Sequence, residues 1–405
     1  MAALSAFRAL RPDPHSAAAV AAVPYDVVST EEARALAAGH PLSFLHVSRA
    51  EIDLEAGVDP HADAVYDRAR ENFARLRAEA PLVRDDAPSL YFYRLRMADH
   101  VQTGLAGCYS LDDYDRNVIL KHEKTRKDKE DDRTRHMIAL GAQTGPVFLT
   151  YPAEADVDRL AAEVTAGPPL VDFTAADGVR HTLWQLPADR VQAAVDAFAR
   201  IPRLYIADGH HRAASAARAR AELAARGQRS GPADLFLAVA FPDDEVQILA
   251  YNRIVKDLGG NRPGSLIERL RTTHRVEAGP AAPAHKGEVS MFLAGQWYTV
   301  TLNRPAHPGS PGDALDASLL HQQVLAPLLG IGDVRTDPRI DFVGGARGTG
   351  ALEHAVGSGK AAVAFSMYPV AVAELMAISD AGEIMPPKST WFEPKLRDGL
   401  LIHEI

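Results

Sequence analysis

The chain has 405 residues, 47% hydrophobic and 24% charged, with a net charge of −9 and a pI near 6.0. That balance fits a globular protein with a large core and excludes a broadly basic nucleic-acid-binding surface. Cys108 is the single cysteine, which excludes a disulfide framework and a cysteine-based zinc site. No apolar run reaches the roughly 18 residues of a membrane span, and Arg8, Arg11, Asp13 and Pro14 break the Ala-rich start, which does not read as a signal peptide. A cytoplasmic protein with no membrane or nucleic-acid partner is expected.

In chain order, Pro24–Ser29 reads as a short strand leading to a helix capped at Ser29 or Thr30, with Glu31 and Glu32 in its first turn and Gly39 just past its end. Pro41–Ser48 reads as a strand ending in Arg49-Ala50-Glu51-Ile52-Asp53, and charged residues beyond a strand's end are where α/β proteins place chemistry. Residues 59 to about 80 form an amphipathic helix with Val65, Ala69, Phe73 and Leu76 on one stripe. Ser89–Met97 and Val101–Ser110 suggest an antiparallel pair.

Nearly every residue from Lys121 to His136 is ionisable, with alternating signs. A solvated helix with i,i+4 pairs such as Glu123–Lys127 is one reading. Tethering to apolar segments on both sides, the second being Thr144–Tyr151, favours a clamp lining a phosphate-rich cleft. Helices follow at Asp156–Ala166 and Ala188–Arg200, with a strand at Val179–Leu186 between them.

The stretch that organises the chain is Leu204–Ala216. An apolar run reads as a buried strand, Asp208-Gly209 turns the chain, and His210, His211 and Arg212 open an Ala/Arg-rich helix. A helix start attracts anions, Arg212 supplies a planar fork for phosphate or carboxylate, and histidine donates to phosphate or moves protons. Asp208 adds a carboxylate able to hold a metal or accept a hydroxyl proton. Beyond it, Asp234–Phe241 and Val246–Tyr251 resemble a hairpin, Leu266–His274 and Ser318–Leu329 helices, and Ile340–Gly345, Ala361–Met367 and Pro369–Ser379 a strand, strand and helix. The tail Met385–Lys395 is stiffened by proline and groups Lys388, Ser389 and Thr390, before a last strand over Gly399–Ile405. No Walker-type phosphate loop, dinucleotide fingerprint, nucleophile elbow or His-Glu-x-x-His helix is present. The pattern is a mixed α/β (α+β) chain. It reads as one family-length unit over 1–405, with two interwoven subdomains at about 1–260 and about 261–405.

Six of these segments together resemble the bacterial and archaeal family called domain of unknown function 1015: Pro24–Val27; Ser43–Val47 with Arg49–Asp53; Lys121–Arg126; Thr144–Phe148; Ala207–Arg212; and Met385–Thr390. The Asp208–Arg212 run is also similar to a motif of the ParB and sulfiredoxin-like superfamily, which binds nucleotide phosphates with a Gly-x-x-Arg turn at a helix start and includes kinases of free serine. Glu123-Lys124-Thr125-Arg126 resembles that superfamily's Glu-Asn-x-x-Arg segment, though here it precedes the turn by about eighty residues instead of following it.

The resemblance implies a ParB/sulfiredoxin-like nucleotide-binding core with additional mixed-sheet elements. It further implies a kinase that transfers phosphoryl from ATP or ADP, with Mg²⁺, to the hydroxyl of free serine or a related hydroxy acid. Gly209, His211, Arg212, Lys121, His122, Glu123 and Arg126 would then hold the nucleotide, and Asp208, Glu51 and His210 would be catalytic. Arg49, His46 and Lys388 would hold the acceptor: Arg49 grips its carboxylate, and either Glu51 accepts or orients its hydroxyl hydrogen or Asp208 serves as base while Glu51 binds its amine. The rival reading is a ParB-like regulatory protein that binds or hydrolyses nucleotide without a small-molecule acceptor. The sequence leaves the metal ligands and the oligomeric state open.

Overall fold

A computed structural model describes residues 2–79, 82–228 and 231–405; the last residue of the helix predicted to about position 80 lies outside them. The fold is mixed α/β and divides into two units, one formed by Met1–Val246 with Pro394–Ile405 and the other by Gln247–Glu393.

The first unit is organised on a nine-stranded sheet. Across it run Ile119–Leu120, Leu204–Asp208, Val147–Tyr151, Leu235–Pro242, His100–Ser110, Tyr91–Met97, Arg180–Gln185 and Val171–Thr174, with Leu4–Ser5 pairing His100–Ser110 at the side of this path. Pairing is mixed: Leu204–Asp208 runs parallel to Ile119–Leu120 and antiparallel to Val147–Tyr151, which is in turn parallel to Leu235–Pro242. Strands enclosed on both sides read as continuous apolar runs, and Val147–Tyr151 is buried throughout. Leu149, Ile206, Ala238 and Ala240 meet Phe198, Ala213 and Ala216 in the main core. Cys108 lies fully buried in this sheet, and burial pushes its thiol well above the ordinary value, so it is a packing residue.

The helix Thr30–Ala37 starts as its sequence dictates: Ser29 accepts from the Glu32 N–H while Glu32 reaches back to the Ser29 N–H, and Gly39 follows with φ +77°. Four expectations are corrected. Pro24–Ser29 is not a strand but a turn, in which the Val27 N–H donates to the Pro24 carbonyl at 3.2 Å. Pro41–Ser48 is not a strand; Leu45–Ser48 is a buried helical turn followed by a 3₁₀ turn over Ala50–Asp53. Leu235–Pro242 does not form a hairpin with the segment after it, because its edges are taken by Val147–Tyr151 and His100–Ser110, while Ile248–Leu249 pairs Trp391–Phe392. The closing strand shortens to His403–Glu404, paired with Ala142–Gln143.

The second unit has a six-stranded sheet in the order Arg275–Ala278, Gln296–Thr301, Glu288–Leu293, Val363–Met367, Tyr251–Val255, Ile340–Gly344. One face packs on the helical stretch Asp316–Leu329 through Val255, Val289, Leu320 and Leu325. The other carries Leu352 and Ala355 of the helix Gly350–Gly357. Among the described residues no helix is long and apolar enough to cross a membrane.

Candidate functional site

The site begins where Leu204–Asp208 ends. A bulge shifts the register against Val147–Tyr151 between Ile206 and Asp208, the device by which strands re-aim a side chain at a sheet's rim. Gly209 follows in the left-handed region at φ +98°, and the helix His210–Ala225 starts at once. Gly209 brings no side-chain cap, and the first N–H groups of a helix have no acceptor within it.

Asp208 is held by two cations. Its Oδ2 accepts from Lys395 Nζ and from Arg212 Nη2, each at 3.3 Å. Burial opposes its ionisation, but Lys395 and then Arg212 outweigh burial and hold the carboxyl well below the usual carboxylate range. Its Oδ1 takes no hydrogen bond among the described residues, and the side chain is 29% exposed. An ionised carboxylate is thus fixed by one oxygen with the other available.

The charged loop closes onto this turn through backbone donors. The His122 N–H approaches His210 Nε2 at 3.4 Å, and the Arg126 N–H donates to His211 Nε2 at 3.0 Å. Each imidazole therefore uses Nε2 as an acceptor, which places its proton on Nδ1. Glu123 Oε2 lies 3.8 Å from His210 Nδ1. The His122 and His210 rings meet edge to face at 4.4 Å. Burial lowers His122 to about 4, against the pull of Asp208 and the Ile206 backbone, and burial reinforced by His122 drives His210 far below its ordinary value. Both rings are neutral at pH 7.

Beside Arg212 a cleft opens between Tyr25, Arg133, His136, Thr144, Gly145 and Asp398. Arg212 is 7% exposed; it donates to the Pro146 carbonyl and to Asp208, while its Nε has no partner. Asp398 is 2% exposed with Oδ1 unpartnered, and burial raises it to about 7 despite Arg212. Gly145 admits it, since a Cβ there would stand 2.4 Å from Asp398 Oδ1. Arg133 binds Asp132 at 2.7 Å and lies 4.2 Å from the centre of the Tyr25 ring.

The structure thus gathers Asp208, Gly209, His210, His211, Arg212, His122, Glu123 and the Arg126 backbone at one turn. The Arg126 guanidinium itself pairs with Asp128 at 2.7 Å. Lys121 is engaged elsewhere: its ammonium donates to the Tyr114 carbonyl at 2.7 Å and to Asn117 at 3.1 Å, and sits 3.8 Å from the centre of the Tyr114 ring. Arg49 and Glu51 bind each other at 2.8 Å, and Arg49 also holds the Tyr25 carbonyl and Thr30. Glu51 is 7% exposed and accepts from Thr30 as well, so the expected substrate fork and base form an internal pair. His46 is bound to Asp53 at 2.8 Å, and Asn72 bridges both residues. Lys388 belongs to the second unit, 5.5 Å from the centre of the Tyr251 ring. Sequence reasoning missed Lys395 and Asp398; Arg133 and His136 were marked only as part of the charged stretch Lys121–His136, and Thr144-Gly145 only as the turn into a buried strand. Among the described residues no three His, Cys, Asp or Glu side chains converge as a metal site.

The family model described as "Protein of unknown function (DUF1015)" matches residues 4–318, and the chain belongs to that family. No curated protein matches it. Three solved structures are similar at a TM-score of 0.36. A conserved hypothetical protein from Pyrococcus furiosus is 16% identical, with 73% of this chain and 94% of that chain covered. Free serine kinase in complex with AMP is 14% identical, with 72% and 91% covered. SbnI with C-terminal truncation, from Staphylococcus aureus, is 14% identical, with 72% and 85% covered.

Two outcomes test this geometry. In Gly209→Ala the new Cβ would lie 3.0 Å from the Arg212 Cζ and Nε, on a backbone that costs a non-glycine residue roughly 1–2 kcal/mol. Urea unfolding should show at least that loss. For Asp398, the folded state keeps a proton that the unfolded chain releases between the ordinary carboxylate value and about 7. Stability therefore falls as pH rises across that window and levels off above it. Asp398→Asn should gain stability relative to wild type between about pH 4 and 7, by at most roughly 1.4 kcal/mol per pH unit. Parallel wild-type and variant curves, from denaturant unfolding at each pH, would contradict the assignment.

Proposed function

We propose that this member of a family without an assigned activity is a nucleotide-dependent phosphotransferase whose acceptor is the hydroxyl of free serine or a related hydroxy acid. The observation that carries the reading is Asp208, ionised, fixed through Oδ2 by Lys395 and Arg212, with Oδ1 unpartnered at the start of the helix His210–Ala225. Phosphoryl transfer asks little covalent chemistry of a protein: it needs cations and helix-start N–H groups around the phosphates and a carboxylate to orient the hydroxyl.

In this reading the donor's terminal phosphate lies at the turn, between the helix start and Lys395. The acceptor hydroxyl donates to Asp208 Oδ1 and its oxygen bonds to phosphorus. The bond to the bridging oxygen breaks, the shortened nucleotide leaves with that electron pair, and the hydroxyl proton passes to the carboxylate. In a loose transition state the proton leaves late, so a strongly ionised carboxylate suits orientation more than early abstraction. The cleft beside Arg212 receives the body of the acceptor. With Arg49 and Glu51 bound to each other, that cleft replaces them as the acceptor's binding place. The described residues do not form a chain-held Mg²⁺ site, and magnesium enters only as the ion that accompanies nucleotide phosphates.

Purified protein given ATP or ADP with serine and other hydroxy acids should yield a phosphorylated acceptor by mass spectrometry. Asp208→Asn should lose on the order of 10²–10⁴ in rate while calorimetry shows nucleotide still binding. Nucleotide hydrolysis that is independent of any added hydroxy acid would support the rival reading and sink this one.

A further inference from the structure

The second unit holds a buried cation, Arg253, that no anion among the described residues matches. Arg253 stands in the middle of the strand Tyr251–Val255, hydrogen-bonded on one side to Ile340–Gly344 and on the other to Val363–Met367. Alternation along the strand puts it on the same face as Val255, toward the core that includes Leu319, Leu320 and Leu325. It is 4% exposed. Its guanidinium donates through Nη1 to the Tyr251 carbonyl and lies 5.7 Å from the centre of the Phe342 ring. No carboxylate among the described residues comes within ion-pairing distance. Burial accordingly pulls it down to about 10, with only the Tyr251 phenol acting in the opposite direction.

The guanidinium borders a cavity. Ser318, His321 and Gln322 add polar groups to its wall, and Phe342, Leu325 and the Pro386-Pro387 step make it apolar elsewhere. No acidic side chain lines it. A neighbouring cavity that shares Arg253 does contain Asp316 and Glu374, but these are spent: Asp316 binds Arg304 and the Gly287 N–H, each at 2.9 Å, and Glu374 binds Lys286 and the Ala371 N–H. A second, independent feature marks the cavity bordered by the Arg253 guanidinium. Between the α-helical turns Asp316–Leu320 and Ala326–Leu329, residues His321–Leu325 form a π-helical turn, and His321, Gln322 and Leu325 of that turn all face the cavity. Such turns are rare and concentrate at functional sites. The His321 ring is held there by its Nε2–H, which points at the Ile331 and Gly332 carbonyls.

We propose that this cavity binds a small organic anion, its carboxylate or phosphoryl oxygens gripped by Arg253 and its apolar body laid against Phe342, Leu325 and Pro386-Pro387. A buried charge is retained at high cost unless something pairs with it, and the planar guanidinium fork matches both oxyanions. The site is built from residues of the second unit alone and does not depend on the phosphotransfer reading.

The test is calorimetric titration of the full chain with benzoate, phenyl phosphate and inorganic phosphate at constant ionic strength. Wild type should show saturable binding of benzoate or phenyl phosphate, their order telling carboxylate from phosphoryl, with inorganic phosphate weaker. Arg253→Met should weaken this binding by roughly tenfold or more. The ligand-free variant should melt no lower than wild type, because an unpaired buried charge has been replaced by a side chain of similar length. Binding that survives unchanged in Arg253→Met belongs to another site and is subtracted. Gln322→Trp, at an exposed position on the cavity wall, should fold whatever Arg253→Met does and should block entry with a similar loss. No saturable binding of either aromatic anion, or affinities within about twofold of wild type in the folded variants, overturns the proposal; equal affinity for inorganic phosphate overturns the apolar subsite.

Discussion

The Asp208 carboxylate between Lys395 and Arg212 is the interaction on which the first unit's polar architecture depends. It joins three pieces of chain: the end of a sheet strand, the first turn of the helix it feeds, and the C-terminal segment that returns to this unit. Each partner needs the others. Arg212 is buried, and its charge is tolerable because the Asp26 and Asp208 carboxylates lie near it and the Pro146 carbonyl accepts from it. Asp208 remains ionised against the cost of burial because two cations face one oxygen. Remove one member and a buried charge is left uncompensated, which is far more costly than losing a surface pair.

Around that pair the histidines act first as fasteners. With Nε2 of His210 and His211 accepting backbone N–H groups, the loop 122–126 is drawn onto the helix start by neutral imidazoles. This division of labour suits a phosphate site. The permanent charges, Lys395 and Arg212, supply the field, and the neutral rings set the shape without adding repulsion at pH 7. Arg212, expected as a fork for phosphate or carboxylate, directs Nη1 to the Pro146 carbonyl and Nη2 to Asp208, and Lys395 is the second cation on that carboxylate.

What the sequence made legible was local. The strand, Asp-Gly turn and helix at 204–225 are encoded by neighbouring residues: an apolar run, a glycine that tolerates φ +98°, and an Ala-rich helix former. Ser29 with Glu32 and Gly39 are equally self-announcing. Misreadings occur where burial is uniform or pairing is distant. Phe44, Leu45, Val47 and Ser48 are all buried, so their apolar run carries neither period and a short enclosed helix resembles a strand. The runs on either side of Asp243–Glu245 look like a hairpin, but Leu235–Pro242 pairs with strands 91 to 135 residues upstream and Ile248–Leu249 with Trp391–Phe392 far downstream. The hairpin Glu288–Leu293 with Gln296–Thr301 was readable from alternation around Ala294-Gly295, both at positive φ, and was not drawn. Lys395 and Asp398 had no local signal: nothing in Pro394–Asp398 shows that it packs against the start of a helix nearly two hundred residues earlier.

The two enclosed arginines show why a residue's type says so little until its surroundings are known. Arg212 and Arg253 are 7% and 4% exposed, and burial acts on both in the same direction. At Arg212 nearby carboxylates overcome burial and raise the guanidinium above its ordinary value, so the charge belongs to a balanced internal network. At Arg253 nothing of that kind is within reach, and the value falls. The sequence marks the first with a dense polar motif, because a compensated charge requires several ionisable residues brought together. It marks the second hardly at all, because Tyr251–Val255 reads as an ordinary strand with one charge in it. A lone charge on a central strand, flanked by apolar residues and matched by no acid once the fold is known, is the pattern by which sequence and structure together expose such a position.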